Sequence, residues 1–359
     1  MTITIHRELT EYEEKVLENF YFWLDGVIGC ILAMVGLIIN SLSIYIFTSK
    51  KDLMNRSTYL LVGLLIAQNL FLLTKFTNNL YFDFNIHCLA VLIPYIVYPI
   101  EKVSLTSSVF LTVCLARQGY SIICDFEKSS QISLNQKFCR KRSFYYILSV
   151  IICSVLFNIP RFFCYEVVKE EDGVYKVSTL PLRQNFHYVV FYDNFISNIL
   201  TVFVPITMLI FFNWSIYLFV VETRQEIEDW DMDVEIKKQS KNHAKTLIII
   251  IVIFIICHLP RCFLKFYDDF YDPLGIKIVG CLERILLIIH SSSNTVIYLI
   301  KNIPFRNYFF NSVKSICYLC QNWFFGRKMN PKCGKVNQHL FYDRKYYWDI
   351  SSALSFQNA

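Results

Sequence analysis

The sequence predicts an all-α membrane protein, a seven-transmembrane helix bundle with a short cytoplasmic amphipathic helix. Three observations predict it. The 359-residue chain is 55% hydrophobic and 18% charged, with a mean hydropathy of +0.39, too little polarity to cover a water-facing surface. Its apolar residues gather in runs of about 20, the length a helix rising about 1.5 Å per residue needs to cross a hydrocarbon core of about 30 Å. Its basic residues collect in alternate connecting segments and in the C-terminal tail, the pattern of a chain whose N-terminus is outside.

The elements follow in order. Residues 1–23 are the extracellular N-terminus; Arg7 is followed by acids and no long apolar run precedes Trp23, so no cleaved signal peptide is expected and the first span itself targets the membrane. Stretches 27–47, 57–74, 143–160 and 195–221 contain no Asp, Glu, Lys or Arg and supply the first, second, fourth and fifth spans. The third, 88–120, is interrupted by Glu101, Lys102 and Arg117; the sixth, 246–260, stops before Arg261; the seventh, 278–300, carries Glu283 and Arg284. An ionisable group at mid-membrane costs about 2.5 to 3.5 kcal/mol, so these three helices are expected to face one another around a wet interior. The transmembrane domain is thus 24–302. Between the fifth and sixth spans, 222–245 runs from acids to bases without Gly or Pro and prolongs both helices into the cytosol. Pro304 opens an amphipathic stretch, 303–320, expected to lie on the inner membrane face in contact with lipid. Its Cys317 and Cys320 read equally as lipidation sites or as unmodified interfacial thiols. Residues 321–359 form a cytoplasmic tail mixing bases and aromatics without clear period.

Several function classes are disfavoured by what the sequence lacks. Thirteen scattered cysteines with a single Cys-x-x-Cys, at Cys317 to Cys320, suggest neither a zinc site nor a disulfide framework. No cofactor is implied. An enzyme reading lacks His-Glu-x-x-His or Gly-x-Ser-x-Gly to place a metal or a nucleophile. A transporter or channel would show inverted repeats, paired broken helices or a charged ring. The net charge of +6 is topological and gives no reason to expect nucleic acid.

Short motifs add specificity. The first span holds Asn40-Ser41-Leu42. The third holds Tyr98-Pro99-Ile100, then Ser108-Val109-Phe110-Leu111-Thr112-Val113. The fourth closes on Asn158-Ile159-Pro160-Arg161-Phe162-Phe163, the sixth contains Cys257-His258-Leu259-Pro260, and the seventh Asn294-Thr295-Val296-Ile297-Tyr298. In this order, over roughly residues 26–310, they resemble the rhodopsin-like G-protein-coupled receptors, closest to the invertebrate FMRFamide-receptor-like neuropeptide receptors. The resemblance implies a plasma-membrane receptor for an amidated, FMRFamide-like peptide that signals through heterotrimeric G proteins. The alternative within the same architecture is a chemosensory receptor for a small environmental ligand.

The resemblance also implies roles. Pro260 removes a backbone hydrogen bond and supplies a hinge for the sixth helix; Pro205 is the corresponding conformational proline of the fifth. Asn40, Asn294 and Tyr298 take the places of residues that repack on activation. If Tyr120 occupies the last place of the family's Asp-Arg-Tyr, Gln118 replaces the acid and Gly119 the arginine that meets the G protein. Arg117, about 200° round the helix from Gly119, is expected to snorkel to the interface. Asn69 stands for the second-helix Asp that anchors sodium, His258 for a Trp and Thr295 for a Pro. For the bridge between the third helix and the second outer loop the resemblance leaves Cys88 with Cys164, against the alternative of two free thiols.

Ligand-binding candidates come from helical periodicity. Stepping back from Gly119, Thr112, Ser108, Leu105 and Glu101 share one stripe, so Glu101 falls where amine receptors carry their aspartate. It is open to a cationic ligand or to pairing with Lys75 or Lys102. Glu283, Leu287, His290 and Asn294 share one face of the seventh helix, making Glu283 a second counter-ion candidate or a salt-bridge partner of Lys265 or Arg183. Asp193, His258 and His290 complete the set. Asp83, Glu170, Glu171, Asp172, Asp268, Asp269 and Asp272 give the outer surface an acidic mouth suited to steering a basic peptide.

Overall fold

A computed structural model describes residues 10–50, 53, 56–124, 136–170, 173–226, 248–260 and 273–324. The chain divides into two compact units, Met1–Phe309 and Phe310–Ala359. Among the described residues the first unit contains seven principal helices in chain order. They are α1 (Glu11–Ser49), α2 (Arg56–Phe82), α3 (Tyr98–Cys124), α4 (Gln136–Asn158), α5 (Val204–Glu226), α6 (Ile248–Pro260) and α7 (Pro273–Lys301). An eighth, α8 (Ile303–Phe324), follows α7.

Helix α1 begins well before residue 24. Thr10 caps it: its hydroxyl accepts from Glu13 N, and Glu13 Oε2 in turn accepts from Thr10 N at 2.8 Å. This reciprocal box satisfies end donors that would otherwise be orphaned. A widened π turn, Phe22–Ile28, then interrupts the α geometry. There Asp25 O accepts from Asn79 Nδ2 at 2.7 Å, tying α1 to α2. Gly26 makes the approach possible, because a Cβ at that position would lie 2.9 Å from Asp83 Cβ.

Helix α3 is the central element. Leu105, Val109, Thr112, Val113 and Ala116 are all buried, and its hydroxyls are satisfied within the helix, as with Thr112 Oγ1 to Ser108 O and Thr106 Oγ1 to Lys102 O, both 2.8 Å. Internal satisfaction is what an apolar environment demands. Two cores form around this helix. One joins Val109, Val113 and Ala116 to Leu209 and Phe212 of α5 and Ile251 and Phe254 of α6. The other joins Leu105 to Ala33 of α1, Phe71 and Leu72 of α2, and Leu287 and Ile288 of α7. By contrast α4 turns most of its apolar side chains outward, with Leu148, Ile151, Ile152, Val155 and Leu156 all exposed.

Before α5 the helix widens into π turns at Tyr188–Ile196 and Ile199–Phe203. Buried Pro205 follows directly; with no N–H it cannot bond to the carbonyl four residues back, which favours the widened turn. The loop after α4 adds a feature that apolar periodicity did not reveal. Strands β1 (Tyr165–Lys169) and β2 (Tyr175–Thr179) pair antiparallel, Tyr165 opposite Thr179 and Val167 opposite Val177. Gly173, at φ 83°, makes their turn. The hairpin marks one end of the bundle, together with the N-terminal ends of α1, α3, α5 and α7. Pro260 is the last described residue of α6, and most of the predicted 222–245 extension, with the tail beyond 324, lies outside the described residues.

Candidate functional site

At the hairpin end a cavity of about 820 Å³ opens between α1, α2, α3, α7 and the hairpin. Four acids (Glu18, Asp25, Asp83, Glu101) and three bases (Lys75, Lys102, Arg284) line it, with Tyr21, Phe22, Phe82, Tyr98 and Tyr165 among its aromatics. The charges are arranged in pairs. Glu101, only 3% exposed, meets Lys102 Nζ at 2.8 Å, Lys75 Nζ at 3.1 Å and Asn78 Nδ2 at 2.6 Å. Lys102 also lies over the Tyr98 ring, which abuts Tyr165 of β1 edge-on. Asp25 takes Arg284 Nε of α7, whose guanidinium rests on the Tyr21 ring. Asp83 is left over: it makes no side-chain hydrogen bond or ion pair among the described residues. Burial first, and then the negative charge of Asp25, raise its pKa to about 6 against the pull of Arg284.

The structure places the other predicted residues as follows. Glu101 is the shared counter-ion of buried Lys75 and half-buried Lys102. Asp193 does not line the cavity. It bridges Arg161 Nη2 at 2.9 Å and Arg183 Nη1 at 2.8 Å, while Arg161 also donates to Asn158 Oδ1 at 2.6 Å and Ser197 Oγ at 2.9 Å. The motif from Asn158 to Arg161 therefore clamps the end of α4 to α5. Glu283 is half-buried and does not line the cavity either; the α7 residue there is its neighbour Arg284. The face predicted for α7 holds for Leu287, His290 and Asn294, all buried.

His258 and His290 lie within the bundle. The His258 ring stacks on Phe254 at 4.2 Å, and His290 approaches edge-on at 4.8 Å. Among the described residues no three potential ligands cluster to hold a metal. Toward the other end, Asn40 Nδ2 donates to Ser291 O at 2.9 Å and Thr295 Oγ1 donates to Asn40 Oδ1 at 2.8 Å. Thr295, where the resemblance expects proline, thus joins α1 to α7. Tyr298 sits edge-on to Phe47, which stacks on Phe305 with centroids 4.5 Å apart. Buried Asn294 leaves its Nδ2 unpartnered among the described residues.

On the second helix, Asn69 is half-buried and donates to Ser41 Oγ at 3.0 Å, its Oδ1 buried and unpartnered among the described residues. Its neighbour Gln68 is fully buried with both amide atoms unpartnered among the described residues. On α3, Gln118 is buried, Gly119 is half-buried, and Tyr120 packs against Phe212 with centroids 6.0 Å apart. Arg117 is exposed and donates to Tyr146 Oη at 3.3 Å.

Cys88 and Cys164 are both free. Cys88 is exposed, while buried Cys164 has its Sγ 3.0 Å from Tyr188 Oη, and burial raises the thiol pKa. In the second unit Cys317 is exposed on α8; the side chain of Cys320 lies outside the described residues.

Sequence reasoning missed the Asp25–Arg284 pair. The available signal was one charge of each sign inside two apolar spans, which in a membrane calls for a mutual partner.

Seven helices with an ion-paired cavity at one end and polar links running down the interior define a seven-helix membrane receptor. The chain belongs to the rhodopsin family of such receptors: compared with models of protein families, residues 39–313 match 7 transmembrane receptor (rhodopsin family). A search of the curated proteins finds no match. Members of this family are receptors that bind a ligand and couple to G proteins, and they are not enzymes.

Proposed function

We propose that the ligand is a basic, amidated peptide of the FMRFamide-like class, bound in the hairpin-end cavity. The observation that carries this reading is Asp83, a cavity carboxylate with no hydrogen bond or ion pair among the described residues, in a lining where acids outnumber bases. A guanidinium is the natural partner for such a group. The aromatic lining offers surfaces to a phenylalanine ring, and Asn78, Asn79 and Asn85 offer neutral donors and acceptors to a terminal amide. Exposed Glu18, which lines the cavity, favours approach of a cation. In this reading the hairpin and the N-terminus are outside the plasma membrane, the opposite end faces the cytosol and the G protein, and Cys317 and Cys320 are positions for lipid attachment.

The test is expression with promiscuous G proteins, verified surface delivery and a panel of amidated peptides, Arg-Phe-amides included, with calcium as readout. A saturable response whose midpoint shifts about tenfold or more in Asp83→Asn, the usual size of a lost charge-assisted contact, supports the reading. Silence across the peptide panel with a response to small environmental compounds would replace it with the chemosensory one.

A further inference from the structure

The charges lining the hairpin-end cavity are sorted by position. At its mouth Asp25 and Asp83 stand with a single base, Arg284, so acids are in excess there. From Asp83, just past the end of α2, back to Lys75 is about 12 Å of helix, and at that depth the balance reverses. Lys75 and Lys102 share the single carboxylate of Glu101. That carboxylate is fully used: its Oε1 meets both ammonium groups and its Oε2 accepts from Asn78. Among the described residues Glu101 is the one anion either lysine meets. An ammonium donates through every N–H it carries, so both lysines keep donors to spare. Asp193, close to Tyr98, is itself shared by Arg161 and Arg183. The trio of Glu101, Lys75 and Lys102 therefore carries a net positive charge, which is costly away from water until an anion meets it. Lys102 lines the cavity with 25% of its side chain exposed, within reach of whatever the cavity holds.

We propose that the ligand carries both charges, a cation that meets Asp83 at the mouth and a carboxylate that meets Lys102 and Lys75 deeper in the bundle. The inference rests on the reading of this cavity as the peptide site and adds a second recognition group to it. In an extended peptide, at about 3.3 to 3.6 Å per residue, about 12 Å is the span of three to four residues. The acid is therefore set about that far along the chain from the arginine. Two groups supply such a carboxylate: an Asp or Glu side chain in an amidated peptide, and the free C-terminus of one that is not amidated.

Binding to the full chain purified in detergent tests it, read as the rise in unfolding midpoint over a dilution series of short alanine-based peptides. One set ends in Arg-Phe-amide and carries Glu at each earlier position in turn. A second set has Gln at the same positions. A third has neither, and ends in a free carboxylate about three or four residues after its arginine. Glu about three or four residues from the arginine should bind about tenfold or more tighter than Gln at the same place, the size of a charge-assisted contact. Lys102→Met should remove that advantage and Lys102→Arg should keep it. A gain confined to the third set supports the carboxylate site, assigns it to the C-terminus and removes the amide from the reading above. Should Lys102→Met fail to fold, the ratio of Glu to Gln peptides on the unaltered chain carries the test. Amidated peptides that bind equally with Glu, Gln or Ala, with no gain in the third set, overturn the inference and leave the peptide reading standing. An advantage for Glu that survives in Lys102→Met also overturns it, and binding by none of the peptides overturns both.

Discussion

Asp83 shows how much one side chain's surroundings decide. Its carboxyl sits at the mouth of the cavity, half withdrawn from water and near Asp25, and its pKa of about 6 lies above the ordinary 3.8. For an acid this sign means that folding favours the neutral form: between about pH 4 and 6 Asp83 loses its proton more readily in the unfolded chain, so its contribution to stability falls as pH rises through that window. Ligand binding runs the other way, because only the ionised form attracts a cation. Peptide potency should therefore fall by about fourfold between pH 7.4 and 5.5, close to the ionised fraction lost. Concentration–response curves at the two values measure it, and in Asp83→Asn the drop should disappear. The same acid was legible in the sequence only as one of seven on the outer surface, because nothing in a linear chain says which of them loses water.

Between elements, the joints are polar, and each has a definite stoichiometry. Glu101 holds α2 to α3 by neutralising Lys75 from one helix and Lys102 from its own. Removing the carboxylate leaves the buried Lys75 ammonium without a counter-charge, a loss of about 3 to 5 kcal/mol for a broken buried pair. We expect Glu101→Gln to lower the unfolding midpoint of the detergent-solubilised receptor and its surface delivery; an unchanged midpoint would show that water screens the pair. The joint between α1 and α7 is tighter still. A Cβ on Gly36 would collide with Ser292 Oγ of α7, and nearby Asn40 bonds to Ser291 and Thr295. Spacing placed Asn40 on its helix, but its partners belong to the fold. Uninterrupted apolar runs located α2 and α4 but not their lengths: α2 continues to Phe82, past the predicted 74, and α4 begins at Gln136, before the predicted 143. The early start of α1 follows from a cap on Thr10, which an apolar-run search does not see, and the hairpin after α4 from strand pairing that a search for helices does not address.

Across the whole molecule, the question is how ligand occupancy at one end reaches the other. The interior offers a route through His258 and His290 stacked with Phe254, the Asn40–Thr295 link and Tyr298 against Phe47. At its far end stand Gln118 and Gly119, which the resemblance sets, if Tyr120 closes the Asp-Arg-Tyr motif, in the places of an acid and an arginine. Substituting Gly119→Arg should change G-protein activation by about fivefold or more, the lower end of ordinary allosteric coupling. Nucleotide exchange in membranes, with and without ligand, measures it; identical exchange in both conditions would show that the missing arginine is not what sets signalling here.

The sequence by itself determined the class of protein, its membrane spans and the motif order that marks the family. Those properties depend on local composition, because a helix needs about 20 apolar residues to cross lipid whatever surrounds it. Among the described residues, tertiary structure decided the partners of the buried charges: Glu101 with Lys75 and Lys102, Arg161 with Asp193, Asp25 with Arg284. The last pair joins residues 259 positions apart. Such choices depend on which helix faces are brought together, since a charge in lipid must be neutralised by whatever the fold places within reach.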